Sequence, residues 1–173
     1  MPEFTPVIHE DEIRCQISRI AKAISEDYQN RDLVLIGVLK GAFIFLADLV
    51  RELQLENVEI DFLQASSYAA DTVSSENIVL KKDIDVDIRD KDVLVVEDIV
   101  DTGLTLAYLI NHLESFGPRS IKVCAMIDKS ERRKAAVDVD YVCVNVQKGF
   151  LVGYGLDYAE QYRNMPAIYH LKL

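Results

Sequence analysis

The sequence predicts an α/β domain built on a mostly parallel, twisted sheet flanked by helices. Three observations carry that prediction. The run at 33–39 is nearly continuously apolar, as a strand covered on both faces is, 93–96 is apolar and β-branched, and 121–127 and 141–146 are further strand candidates. Segments of helical period precede and separate those runs, at 11–28, 43–53 and 104–116. Strands and helices therefore alternate, which is the pattern of parallel strands joined by helical crossovers.

Each element has its own signal. Ile13, Ile17, Ile20, Ala21 and Ile24 fall on one face of the first helix. Phe43, Leu46, Ala47, Val50 and Leu53 repeat that period after the first strand. Residues 58–63 and 78–80 read as strands, separated by a small, polar, weakly periodic segment at 66–77. The run at 93–96 ends abruptly in Glu97 and Asp98, and Gly117-Pro118 stops the helix that follows. There is no internal repeat, low-complexity tract or interdomain linker, so residues 1–173 are expected to form a single domain.

Composition sets further bounds. The chain has 173 residues, half of them hydrophobic and 28% charged, which suits a globular domain with a substantial core. No apolar run approaches the roughly 20 residues a membrane helix needs. The N-terminus lacks the basic and apolar regions of a secretory signal. Cys15, Cys124 and Cys143 are too few and too scattered for a disulfide framework, so a reducing, cytoplasmic location is expected. Nineteen basic against 29 acidic residues leave a net charge of −10. That balance disfavours nucleic acid and anionic membrane as partners, though not a local basic pocket.

In open α/β sheets ligands bind beyond the carboxyl ends of the strands. The segment there with most chemistry is 93–105, whose strand delivers Glu97 and Asp98 and whose turn supplies Asp101, Thr102, Gly103, Leu104 and Thr105. Amides at the start of the following helix, its dipole and the Thr hydroxyls suit a phosphate. Gly103 permits close backbone approach. No Walker A pattern is present.

This segment closely resembles the phosphoribosyl-diphosphate signature of the type I phosphoribosyltransferases, and the chain from about Ile8 to Tyr169 resembles their hypoxanthine-guanine branch. The resemblance implies their fold, in which the terminal segments form a small hood. It implies purine salvage, with 5-phosphoribosyl-1-diphosphate and a 6-oxopurine as substrates and Mg²⁺ as cofactor. Glu97 and Asp98 would face the ribose hydroxyls and the metal, residues 101–105 would cradle the 5′-phosphate, and Asp101 would be the general base. Lys40 and Gly41 would form the pyrophosphate loop, whose Leu39–Lys40 peptide is often cis in relatives, and Arg163 would be a second pyrophosphate contact. Lys129 would reach the purine 6-oxo group and Phe150 would stack on the ring. Leu151 and Asp157 would accept from a 2-amino group, with Asp157 also beside a second metal ion. Ser66, Ser67 and Tyr68 would belong to a lid at 66–77.

Within that resemblance, charge also calls for a cation. Lys40 and Arg163 cannot offset Glu97, Asp98, Asp101 and Asp157 together with a polyanionic substrate. Leu151, Gly149 and Ser130 depart from residues common in relatives, which leaves the ranking of hypoxanthine, guanine and xanthine open. A homo-oligomer, dimer or tetramer, is implied by resemblance. His9, His112 and His170 show no metal-ligand spacing. Two further readings compete: a nucleotide-responsive regulator that keeps the fold without catalysis, and a phospho-accepting receiver domain. The complete set Asp101, Lys129, Asp157 and Arg163 opposes the first. The position of Glu97-Asp98 past the chain's midpoint opposes the second.

Overall fold

The computed structural model describes residues 1–69 and 76–172. In chain order the elements are β1 (Glu3–Ile8), α1 (Glu10–Asp27), β2 (Leu33–Leu39), α2 (Phe43–Glu52), β3 (Val58–Ala69), β4 (Glu76–Lys82) and β5 (Asp92–Val100). There follow α3 (Leu104–Glu114), β6 (Ser120–Lys129), β7 (Tyr141–Val146), β8 (Leu151–Val152) and β9 (Ile168–Lys172).

The main sheet has the order β4-β3-β2-β5-β6-β7. Its pairs are parallel except β3–β4, which is antiparallel. Alternate side chains explain why the central strands carry no polar face. Leu33 and Leu35 of β2 join Leu94 and Val96 of β5 in a core with α1 and α2. Val34, Ile36, Val93 and Val95 join a second core under Leu106, Leu109 and Leu113 of α3. With both sheet faces covered, successive positions at 33–36 and 93–96 are all apolar. Ile13, Ile17, Ile20, Ala21 and Ile24 are the buried stripe of α1, as their spacing predicts.

Two differences from the sequence reading matter. First, β5 does not end at Glu97-Asp98. Pairing with β6 continues through Ile99 and Val100, so both carboxylates sit within the strand. Second, β3 and β4 extend into 66–77 as a hairpin, with Ser66, Ser67 and Tyr68 opposite Val79, Ile78 and Asn77. The small polar residues there lack apolar alternation, which hides an edge hairpin from a reading by period. As expected for the hood of terminal segments, β1, β9 and β8 form a separate antiparallel sheet.

The topology locates the ligand cleft. Strand β2 pairs with β3 on one side and β5 on the other, so the loops leaving β2 and β5 diverge where the winding reverses. That switch point is where open α/β sheets bind ligands. No described helix is long and apolar enough to cross a membrane.

The cysteines provide a test of the core. Cys15 is exposed, whereas Cys124 and Cys143 are buried. Burial pushes the Cys143 thiol up to about 12 and the Cys124 thiol well above its usual value. Neither supplies appreciable thiolate at neutral pH. A thiol reagent should therefore label Cys15 rapidly in the native protein and all three cysteines after unfolding. Fast native labelling of Cys124 or Cys143 would contradict this packing.

Candidate active site

The pyrophosphate end is assembled from three separated segments. The Leu39–Lys40 peptide is cis, and Gly41 follows it. A Cβ built on Gly41 would overlap the Asp98 carboxylate, and one on Gly155 would overlap the Gly41 carbonyl. Backbone and carboxylate therefore stack directly, and neither glycine can carry a side chain there. Arg163 reaches into the stack, with Nη1 donating to Gly155 O at 2.7 Å and Nη2 paired with Asp157 Oδ1 at 3.0 Å.

Glu160, to which sequence reasoning gave no role, accepts from Lys40 Nζ at 2.9 Å and pairs with Arg163 Nη2 at 3.4 Å. Its carboxylate thus occupies both cations assigned to pyrophosphate. It sits on a strained stretch, with φ of 51° at Ala159, 65° at Glu160 and 76° at Tyr162. Glu160 N–H donates to Asp157 Oδ2 at 2.8 Å, and Tyr158 and Gln161 exchange backbone hydrogen bonds, which together hold that conformation.

Glu97 and Asp98 are the electrostatic centre. Glu97 is only 8% exposed. Burial, then the neighbouring Asp98 charge, raises the Glu97 carboxyl well above its usual value. Burial also raises Asp98, while hydrogen bonds and the Arg163 charge oppose the rise. At an effective dielectric constant of about 20, like charges some 4 Å apart repel by about 4 kcal/mol. Two ionised carboxylates in this position call for a proton or a cation.

The turn after β5 is held from across the sheet. Gly103 takes φ 80° as the N-cap of α3 and has no side chain of its own to cap the helix. Thr102 Oγ1 accepts weakly from Leu104 N–H at 3.4 Å, and Leu104 and Thr105 open the helix. The amides of Lys134 and Ala135 donate to Thr102 O at 2.8 and 3.0 Å. Arg133 Nε donates to Asp101 O at 2.9 Å, and its Nη2 donates to Val100 O and the Asp128 carboxylate.

Asp101 and Lys129 meet at the end of this turn. Lys129 is 5% exposed, and its Nζ lies 3.6 Å from Asp101 Oδ2 and 3.5 Å from Glu131 Oε2. Glu131 also accepts from Gly149 N–H at 3.4 Å, which ties Lys129 to the segment carrying Phe150. Phe150 is 50% exposed and meets the Tyr158 ring edge-on at 5.7 Å. It is therefore not a core residue. Leu151 lies buried in β8.

Among the described residues, four buried side-chain polar atoms take no hydrogen-bond partner. Three belong to residues singled out from sequence: Ser66 Oγ, Asp101 Oδ1 and Arg163 Nε. Buried polar atoms are normally satisfied, so each of these three atoms is free to meet a polar ligand. Ser66 lies at the end of β3. The remainder of the expected lid, residues 70–75, falls outside the described residues. Grooves along α1 and α2, lined by residues such as Ser18, Glu52 and Arg14, include none of these groups.

Comparison with known proteins agrees with this geometry. A family model described as "Phosphoribosyl transferase domain" matches residues 8–159. The chain belongs to the phosphoribosyltransferase family. Within that family it is 42% identical over 164 residues to the hypoxanthine phosphoribosyltransferase of Escherichia coli K12, covering 94% of this chain and 92% of that one. A crystal structure of a Bacillus anthracis hypoxanthine-guanine phosphoribosyltransferase superimposes with a TM-score of 0.92 at 41% identity, covering 99% of this chain and 100% of that one. A hypoxanthine phosphoribosyltransferase from Trypanosoma cruzi, solved to study its C-terminal region in oligomeric state and activity, gives 0.91 at 40% identity, covering 98% and 93%. The family's sheet and hood are thus the architecture described above. The receiver reading falls with the family assignment, and the non-catalytic regulator reading finds no support among relatives named as enzymes.

Proposed function

We propose that the protein is a purine-salvage enzyme that transfers the 5-phosphoribosyl group of 5-phosphoribosyl-1-diphosphate to N9 of hypoxanthine, and of guanine, releasing pyrophosphate. The pairing of Asp101 with Lys129, 3.6 Å apart, carries this reading. A 6-oxopurine protonated at N7 presents a donor at N7 and an acceptor at O6 on one edge. A carboxylate beside an ammonium group matches that edge, acceptor to donor and donor to acceptor. Phe150 is exposed where a purine face would stack, and the Leu151 and Asp157 carbonyls are the acceptors for a 2-amino group.

The reaction follows from this placement. N9 forms a bond to the anomeric carbon as the bond from that carbon to the pyrophosphate oxygen breaks, and pyrophosphate leaves with the electron pair. The N7 proton passes to Asp101. The amides and hydroxyls of residues 101–105 hold the 5′-phosphate at the α3 N-terminus. Lys40, Gly41 and Arg163 hold the leaving group, which must displace Glu160 from both cations.

Mg²⁺ fits the residues present. Among the described residues no three His, Cys, Asp or Glu side chains come together as a cage. Magnesium needs none, since it commonly binds through one or two carboxylates and completes its shell with water and substrate oxygens. Glu97 and Asp98 would hold one ion through the sugar hydroxyls, and Asp157 would face a second. When bound, the metal supplies positive charge to the sugar hydroxyls and the pyrophosphate. Excess chelator is expected to abolish pyrophosphate release and added Mg²⁺ to restore it. Full activity in chelator would overturn the metal assignment, while absence of pyrophosphate release with any purine would overturn the reaction itself.

A homo-oligomer, dimer or tetramer, belongs to the same proposal. Exposed Phe43, Ile60 and Val79 are apolar side chains that a subunit contact would cover. A cytoplasmic location is consistent with three free cysteines.

A further inference from the structure

A general base acts through one oxygen, and the surroundings of Asp101 distinguish its two. Oδ2 accepts from Arg132 through both Nε, at 3.1 Å, and Nη2, and Lys129 Nζ lies 3.6 Å from the same atom. Oδ1 is buried and takes no partner. The adjacent arginine does something different: Arg133 binds the main-chain carbonyls of Val100 and Asp101 and leaves the Asp101 carboxylate alone. The two residues therefore divide the turn, Arg133 gripping its backbone and Arg132 its side chain.

We infer that Arg132 is a positioning residue for phosphoribosyl transfer: by drawing Oδ2 to itself through two donors it fixes the rotation of the Asp101 carboxylate beside Lys129. The inference rests on the reading of Asp101 as the base. Folding stability does not explain the contact, because the Arg132 side chain is 64% exposed and surface ion pairs add little to stability. Orientation does, since a reacting group misplaced by about 1 Å can lose about 100-fold in rate. Lys129 cannot substitute for Arg132, because its single ammonium is already shared with Glu131 and is assigned to the purine oxygen.

The test is a kinetic cycle on the full-length protein, with Arg132→Met, Arg132→Lys, Asp101→Asn and the Arg132→Met/Asp101→Asn double variant. Arg132→Met is expected to lower kcat about tenfold while leaving both KM values within about twofold and the melting temperature unchanged. Arg132→Lys should recover part of the loss. In the Asp101→Asn background, Arg132→Met should change kcat no further, because the group it orients no longer takes a proton. Independent, multiplicative losses would overturn the inference. So would a change confined to KM, an unchanged kcat or a raised kcat in Arg132→Met. If Asp101→Asn itself keeps full turnover, the base assignment fails. If that variant is slow but Arg132→Met is not, only the positioning role fails.

Discussion

Adenine is expected to react about 10⁴-fold less efficiently than hypoxanthine, measured as kcat/KM for pyrophosphate release. The cause is the donor-only chemistry of Lys129. Its ammonium group can meet the carbonyl of a 6-oxopurine but opposes the amino group of adenine, donor to donor. Burial makes the mismatch costly. At 5% exposure, Lys129 has little water to replace the missing acceptor, and Asp101 and Glu131 hold the side chain in place from two sides. A factor of 10⁴ corresponds to about 5.5 kcal/mol, within reach of a buried unpaired donor facing another donor. Comparable efficiencies for adenine and hypoxanthine would show that Lys129 does not read the 6-position.

Asp101→Asn is expected to lower kcat by about 10²- to 10⁴-fold with small effects on KM. An amide keeps the volume of the carboxylate and can still present an oxygen to the purine edge, so binding survives. It cannot accept a proton at neutral pH, so the N7 proton has nowhere to go as N9 bonds to the sugar. The backbone of the turn is held by Arg133, Lys134 and Ala135, independently of the Asp101 side chain. The substitution therefore tests chemistry rather than folding. An unchanged kcat would remove Asp101 from the base role.

Some elements are read with their full bounds from the sequence. Strands at 33–39 and 141–146 have the same bounds in the structure, and the helix at 43–53 differs by one residue. Leu33–Leu39 touches apolar side chains on both faces, so its pattern needs no knowledge of its neighbours. The strand carrying Glu97 and Asp98 was harder to delimit, because two carboxylates inside a strand read as its end. Only pairing with β6 reveals that the strand continues. The terminal strands β1, β8 and β9 are short and mixed in polarity, and β1 meets β9 across most of the chain, so no local period announces them.

The site divides in the same way. Glu97, Asp98, Asp101, Gly103 and Thr105 stand out in the sequence as an acidic pair and a turn behind an apolar run, whereas Lys40, Gly41, Lys129, Phe150, Asp157 and Arg163 are singled out by the resemblance to phosphoribosyltransferases. The roles of Glu131, Arg132, Arg133 and Glu160 could be read from neither. They are charged residues in irregular segments, where composition alone predicts solvent-facing side chains. Their partners lie as far away as the 120 residues between Lys40 and Glu160. By itself, the sequence determined the α/β class, the strand ends that carry chemistry and the residue types able to perform it. Only the tertiary structure decided which charges meet, which Asp101 oxygen is left unpartnered and how closely Gly41 approaches Asp98, because those outcomes depend on distances between segments that share no local pattern.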